Sequence, residues 1–70
     1  MTINEMNDER ANLKSWFTWY DTQVIQYQRD IRIDGESQIN ITSLDDQART
    51  NAARIKELKN LINEEFRKME

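Results

Sequence analysis

Residues 13–33 read LKSWFTWYDTQVIQYQRDIRI, and this stretch holds both tryptophans, both tyrosines and one of the two phenylalanines of the chain. At about 100° per residue with Leu13 as zero, Phe17, Tyr20, Val24, Tyr27 and Ile31 fall within roughly 40° of it, and Trp16 at about 60°. That spacing is one broad apolar stripe of a helix. A strand would need residues two apart to share a face, and Asp21, Gln23, Arg29 and Asp30 break that pattern. Met6 lies on the same line one heptad earlier, so the helix starts well before Leu13. Trp19, Ile25 and Ile33 lie off the stripe and are left over for another surface.

Upstream, Thr2 and Glu5 have the spacing of a capping box, with Asn4 and Asn7 as competing caps. Downstream, Asp34-Gly35 is the stop, because the sole glycine stands where a left-handed residue closes a helix. The first helix is therefore expected over about residues 4–33 and a loop over 34–42. In that loop Ile39 and Ile41 are expected to pack against Ile31 or Ile33. Thr42 or Ser43, each three residues before Asp45 or Asp46, is expected to cap a second helix over about 43–68.

In the second helix Leu44, Ala48, Asn51, Ile55, Leu58, Ile62, Phe66 and Met69 fall within about 60° of Ile55, in the alternating threes and fours of a coiled-coil seam. Asn51 is the one polar residue on that line, as a register-setting residue would be. Leu61 lies about 120° off it. Asp45 with Arg49 and Glu64 with Lys68 have the favourable four-residue spacing of ion pairs on a solvated face.

The fold class that follows is all-α: residues 1–70 as a single antiparallel helical hairpin, dimerising into a four-helix bundle. Seventy residues bury only about 60% of the surface the unfolded chain exposes. No cysteine is present to staple the fold, and two helices cannot cover so broad an aromatic stripe, so association is the expected remedy.

Composition narrows the function. There is neither histidine nor cysteine, and the formal charge of −3 with a pI near 4.9 disfavours phosphate backbones. No apolar run reaches the roughly 20 residues that span a bilayer. The polar start MTINEMNDER does not read as a signal peptide, so a soluble, cytoplasmic protein with no membrane contact is expected. The triplet Asn40-Ile41-Thr42 is read as a chance glycosylation match. Asp45/Asp46 and Glu64/Glu65 are adjacent pairs pointing about 100° apart, so neither converges on one substrate atom. The reading is a non-enzyme without cofactor or metal.

In architecture the chain resembles the ROP family of plasmid copy-number regulators, helical hairpins that dimerise. The residues WFTWYDTQVIQYQRDIRI and INITSLDDQA, over 16–33 and 39–48, resemble small proteins encoded by phages and prophages of Gram-positive bacteria. That resemblance implies a genomic setting and binding to a host or phage protein, whose inhibition is one form it could take. The expected interface is Trp19, Ile25, Leu61 and Trp16, which serves a second copy or a protein partner. Trp16, Phe17 and Tyr20 are placed mainly in the core. A nucleic-acid regulator using Arg29, Arg32, Arg49 and Arg54, with Tyr27 for stacking, is the alternative, weakened by the acidic residues interleaved with these arginines.

Overall fold

The computed structural model describes residues 1–69 and contains two helices, α1 (Ile3–Asp34) and α2 (Ile41–Lys68), packed against each other. The all-helical hairpin expected from the periodicity is therefore present. Its start is set locally: Thr2 Oγ1 accepts from the Glu5 amide at 3.1 Å and the Glu5 carboxylate accepts from the Thr2 amide at 3.3 Å, the reciprocal capping box. Its end is set by Gly35, at φ 77°, whose amide donates to the Ile31 carbonyl at 3.0 Å.

The second helix begins earlier than expected. Its cap is Asn40, whose side-chain oxygen accepts from the Ser43 amide at 3.0 Å. Thr42 and Ser43 lie inside the first turn. Asparagine is as good a cap as serine, and starting at Asn40 extends the helix by two or three residues, Ile41 among them. Asp45 is thereby displaced from capping to the face of the helix that meets Tyr20.

Three cross-links set the register. Met6 clusters with Leu58 and Ile62, Glu9 pairs with Arg54, and Tyr20 hydrogen-bonds Asp45. For Met6–Leu58, Glu9–Arg54 and Tyr20–Asp45 the two residue numbers add to about 64, so a residue of α1 stands level with the α2 residue that completes this sum. Ile41 is thus level with Gln23, and α1 runs on past the start of α2 from about residue 25 to Asp34. At the other end Thr2 is level with Ile62, and α2 runs on past the capping box from about residue 63. The dimensions agree: α1 is about 48 Å long at 1.5 Å per residue, the rod measures 57 × 15 × 15 Å, and the difference of about 9 Å is six residues of α2.

This stagger determines what is buried. The core proper is Met6, Leu58 and Ile62, with Ile3, Leu13 and Leu61 packed around it, and Leu44 is buried nearer the loop. Leu58 is fully buried. Leu61, expected on the open surface, instead joins this cluster. The burial centre of α2 lies toward Leu58 rather than Ile55, and from Leu58 the angular distance to Leu61 is only about 60°. Phe66 and Met69, on the expected seam, are exposed because α1 has ended before reaching them.

The aromatic stretch is less central to the core than its sequence suggests. Trp16, Phe17, Tyr20, Val24 and Tyr27 are all half-buried and none is enclosed. Along the overhang Ile31 and Ile33 are exposed. They lack the loop cover expected for them, since the loop returns along the Gln23–Asp30 flank. There Ser37 Oγ donates to Asp30 Oδ2 at 2.8 Å and accepts from the Ile39 amide at 3.2 Å. Ile39 is half-buried and Ile41 belongs to α2.

Candidate functional site

The aromatic residues of α1 form one connected cluster on the hairpin's flank, built by a helical spacing that places residues three and four apart side by side. Trp16 is its hub. It stacks on Tyr20 with ring centroids 5.3 Å apart and planes 16° from parallel, meets Phe17 edge-on at 5.0 Å, and lies 6.1 Å from Trp19. Phe17 and Tyr20 close the set edge-on at 6.0 Å. Trp16, Phe17 and Tyr20 are half-buried, whereas Trp19 is 47% exposed. The cluster is therefore locked on its inner side and bare on its outer side. Ring pairs of this kind restrict rotamers before any partner arrives, which lowers the entropy lost on binding.

Tyr20 also ties the cluster to α2. Its hydroxyl donates to Asp45 Oδ1 at 2.5 Å, and this charge-assisted bond is the reason its phenol is raised above the ordinary tyrosine range. Asp45 is accordingly turned to Tyr20, and the Asp45–Arg49 ion pair expected from spacing is absent from the ion pairs among the described residues. The Glu64–Lys68 pair is missing in the same way, because Lys68 Nζ meets Glu65 Oε1 at 3.2 Å.

Of the four arginines proposed for phosphate contact, Arg54 is committed within the hairpin. Its Nε and Nη2 grip the Glu9 carboxylate at 2.5 and 3.1 Å, and its Nη1 reaches Glu57 at 3.2 Å. The two carboxylates hold the guanidinium above its usual range, and the same hydrogen bond holds Glu9 below the usual carboxylate range. Arg29, Arg32 and Arg49 are exposed. Arg49 is level with Ser15, so about 20 Å of helix axis separates it from Arg29, and the four side chains do not form one patch.

Of the expected interface residues, Trp16 and Trp19 are brought together, Ile25 is 57% exposed and lies on the opposite flank of α1, and Leu61 is half-buried against the core cluster. The exposed ends were missed by sequence reasoning. Ile31 and Phe66 both sit on the seam and read as buried there, and only the stagger exposes them.

At the loop, a shallow polar groove of about 690 Å³ is lined by Gln23, Gln26, Asp30, Ser37 and Ile39 among others. Asp30 has both oxygens engaged there, by Gln26 and Ser37. Among the described residues there is no group of three side chains placed to hold a metal ion, and no helix is long and apolar enough to cross a membrane. Compared with protein-family models, curated proteins and solved structures, the chain has no match.

Proposed function

We propose that this chain is a non-enzymatic interaction module that completes its own fold by pairing with a second copy. The observation that carries the reading is the aromatic cluster of α1: four rings joined through Trp16, three of them half-buried by the hairpin and the fourth, Trp19, exposed. Rigid tryptophan and tyrosine side chains, desolvated at the centre of an interface, supply most of its binding energy. A chain without histidine or cysteine lacks the usual near-neutral base and the usual thiol nucleophile, which supports binding over catalysis. A phage setting, and a host or phage protein as a further target, rest on the resemblance of residues 16–33 and 39–48 alone.

The test is solution mass by light scattering across a concentration series. A dimer is expected down to low micromolar concentration. Trp19→Ala should raise its dissociation constant about tenfold or more, as loss of a central aromatic does, while circular dichroism shows the helices retained. A wild-type chain that stays monomeric at every concentration would remove self-pairing, and a Trp19→Ala chain that dimerises like wild type would show that this surface is inert.

A further inference from the structure

The hairpin, a rod of 57 × 15 × 15 Å, exposes more surface than a compact monomer of its mass. A folded monomer of 8.5 kDa should expose about 4,650 Å² by the general scaling of surface with mass, whereas this one exposes 5458 Å². The excess of about 800 Å² is the share one partner contributes to an interface of standard size.

Trp19 and Ile25 are exposed along the body of α1, and the other exposed large apolar residues stand toward the two ends. Ile31 and Ile33 sit on the α1 overhang at the loop end, and Phe66 and Met69 at the α2 end. Ile31 and Phe66 lie on the seam faces of their helices, at positions that would be core had the other helix continued. Each overhang thus presents a core position with nothing opposite it within the chain. The midpoint of the 57 Å rod, about 28 Å from either end, falls level with Trp16 by the 1.5 Å rise. The aromatic cluster is therefore at the centre of the rod and the unfilled core positions are at its two ends.

We infer that two hairpins pair side by side and antiparallel about a twofold axis level with Trp16, so that their aromatic clusters meet at the centre of the rod. The loop-end overhang of each then lies beside the other's α2 overhang. This rests on the self-pairing proposed above and specifies its geometry. Turning the rod end for end about that axis sets Ile33 level with the partner's Phe66 and Trp19 level with the partner's Leu13. Both ends are filled at once because the contact is isologous. A head-to-tail contact between the same two ends would be heterologous, would leave the aromatic centre bare and would propagate without closing. A parallel pair would put loop end on loop end and α2 end on α2 end, so that each overhang would meet its own kind and neither seam would be completed by the complementary helix.

The chain has no cysteine, so Glu36→Cys at the loop and Arg67→Cys near the end of α2 each accept one fluorophore at an exposed position. Loop-labelled donor mixed with Arg67→Cys-labelled acceptor should transfer energy efficiently, with the dyes within about 20 Å across packed helices. Loop donor mixed with loop acceptor should transfer little, since those positions stand nearly a rod length apart. Phe66→Ala and Ile33→Ser should each raise the dimer dissociation constant about tenfold with helicity unchanged, because neither side chain is buried within the hairpin. Efficient loop-to-loop transfer in a species of dimer mass would overturn the antiparallel arrangement and leave self-pairing standing. Efficient loop-to-Arg67→Cys transfer with mass that grows continuously with concentration would replace the closed dimer by a head-to-tail chain. Unchanged affinity in both Phe66→Ala and Ile33→Ser would also overturn it, and a monomer throughout would defeat self-pairing itself.

Discussion

Tyr20 is the residue at which the two helices communicate through a single proton. Its hydroxyl donates to Asp45, and the folded chain therefore holds the phenol protonated to higher pH than the unfolded chain does. The stabilisation is fully present below the ordinary tyrosine value of 10.0 and is lost as pH rises through the raised folded value. Tyr20→Phe should remove this alkaline loss, so that the melting temperatures of wild type and variant differ at pH 7 and draw together only as pH climbs from 10.0 through the raised folded value. Glu9 works in the opposite direction. Arg54 depresses its folded pKa, so its contribution is present above the ordinary value of 4.5 and disappears as pH falls through the lowered one. Glu9→Gln should lower the melting temperature at pH 7 and flatten the acid limb of the stability profile. Arg10 offers the contrasting case: its Nε is buried with no hydrogen-bond partner among the described residues. A desolvated donor without an acceptor is a net cost, and replacing it by an apolar group of similar shape relieves that cost. Arg10→Met is expected to melt at or above the wild-type temperature, and a clear fall would show that the Arg10 stem or charge matters in another way.

At the scale of the helices, stability is concentrated at one end of the seam. Leu58 is completely enclosed by the cluster with Met6 and Ile62, so Leu58→Ala should cost about 2–5 kcal/mol, enough to unfold so small a domain in thermal or urea melts. Gly35→Ala tests the turn separately. A Cβ at this position meets nothing within 4 Å, so the cost is purely that of a left-handed backbone at φ 77°, about 1–2 kcal/mol. The helices themselves were legible from the chain because their signals are local: the Thr2–Glu5 box, the Gly35 stop and the period of the stripe need no knowledge of the partner helix. What was not legible is the axial offset. Phe66 and Ile31 carry the same seam signature as Ile62 and Leu13, and periodicity fixes the angle of a residue about the axis but not its height against another helix. Asn40 does not stand out as the cap for a related reason. Thr42 and Ser43 offered the familiar spacing to an acidic residue, and only the Tyr20 bond shows that Asp45 is engaged elsewhere. Leu61 packs against the core cluster because burial in α2 is centred on Leu58 and not on Ile55, the centre of its periodic stripe.

The whole molecule is a 57 Å rod of two helices with four buried apolar side chains among the described residues, and that core is small for a chain that must offset the conformational entropy of about 70 ordered residues. If the remaining stabilisation comes from a second copy, folding and association are one equilibrium and the melting temperature must depend on concentration. A tenfold change in protein concentration is worth about 1.4 kcal/mol. Spread over the unfolding entropy of two chains of this length, it should move the midpoint by about 5 °C. Trp19→Ala, which touches the proposed interface and not the core, should reduce or abolish that slope and lower the midpoint most at high concentration, where wild type is paired. Arg10→Met, at a half-buried position away from the aromatic cluster, should shift the midpoint by a similar amount at every concentration and keep the slope. Differential scanning calorimetry at three concentrations over two decades separates these outcomes. A slope of zero in the wild-type chain would mean that the hairpin is stable alone, and the exposed Trp19 flank would then be a surface for some other protein.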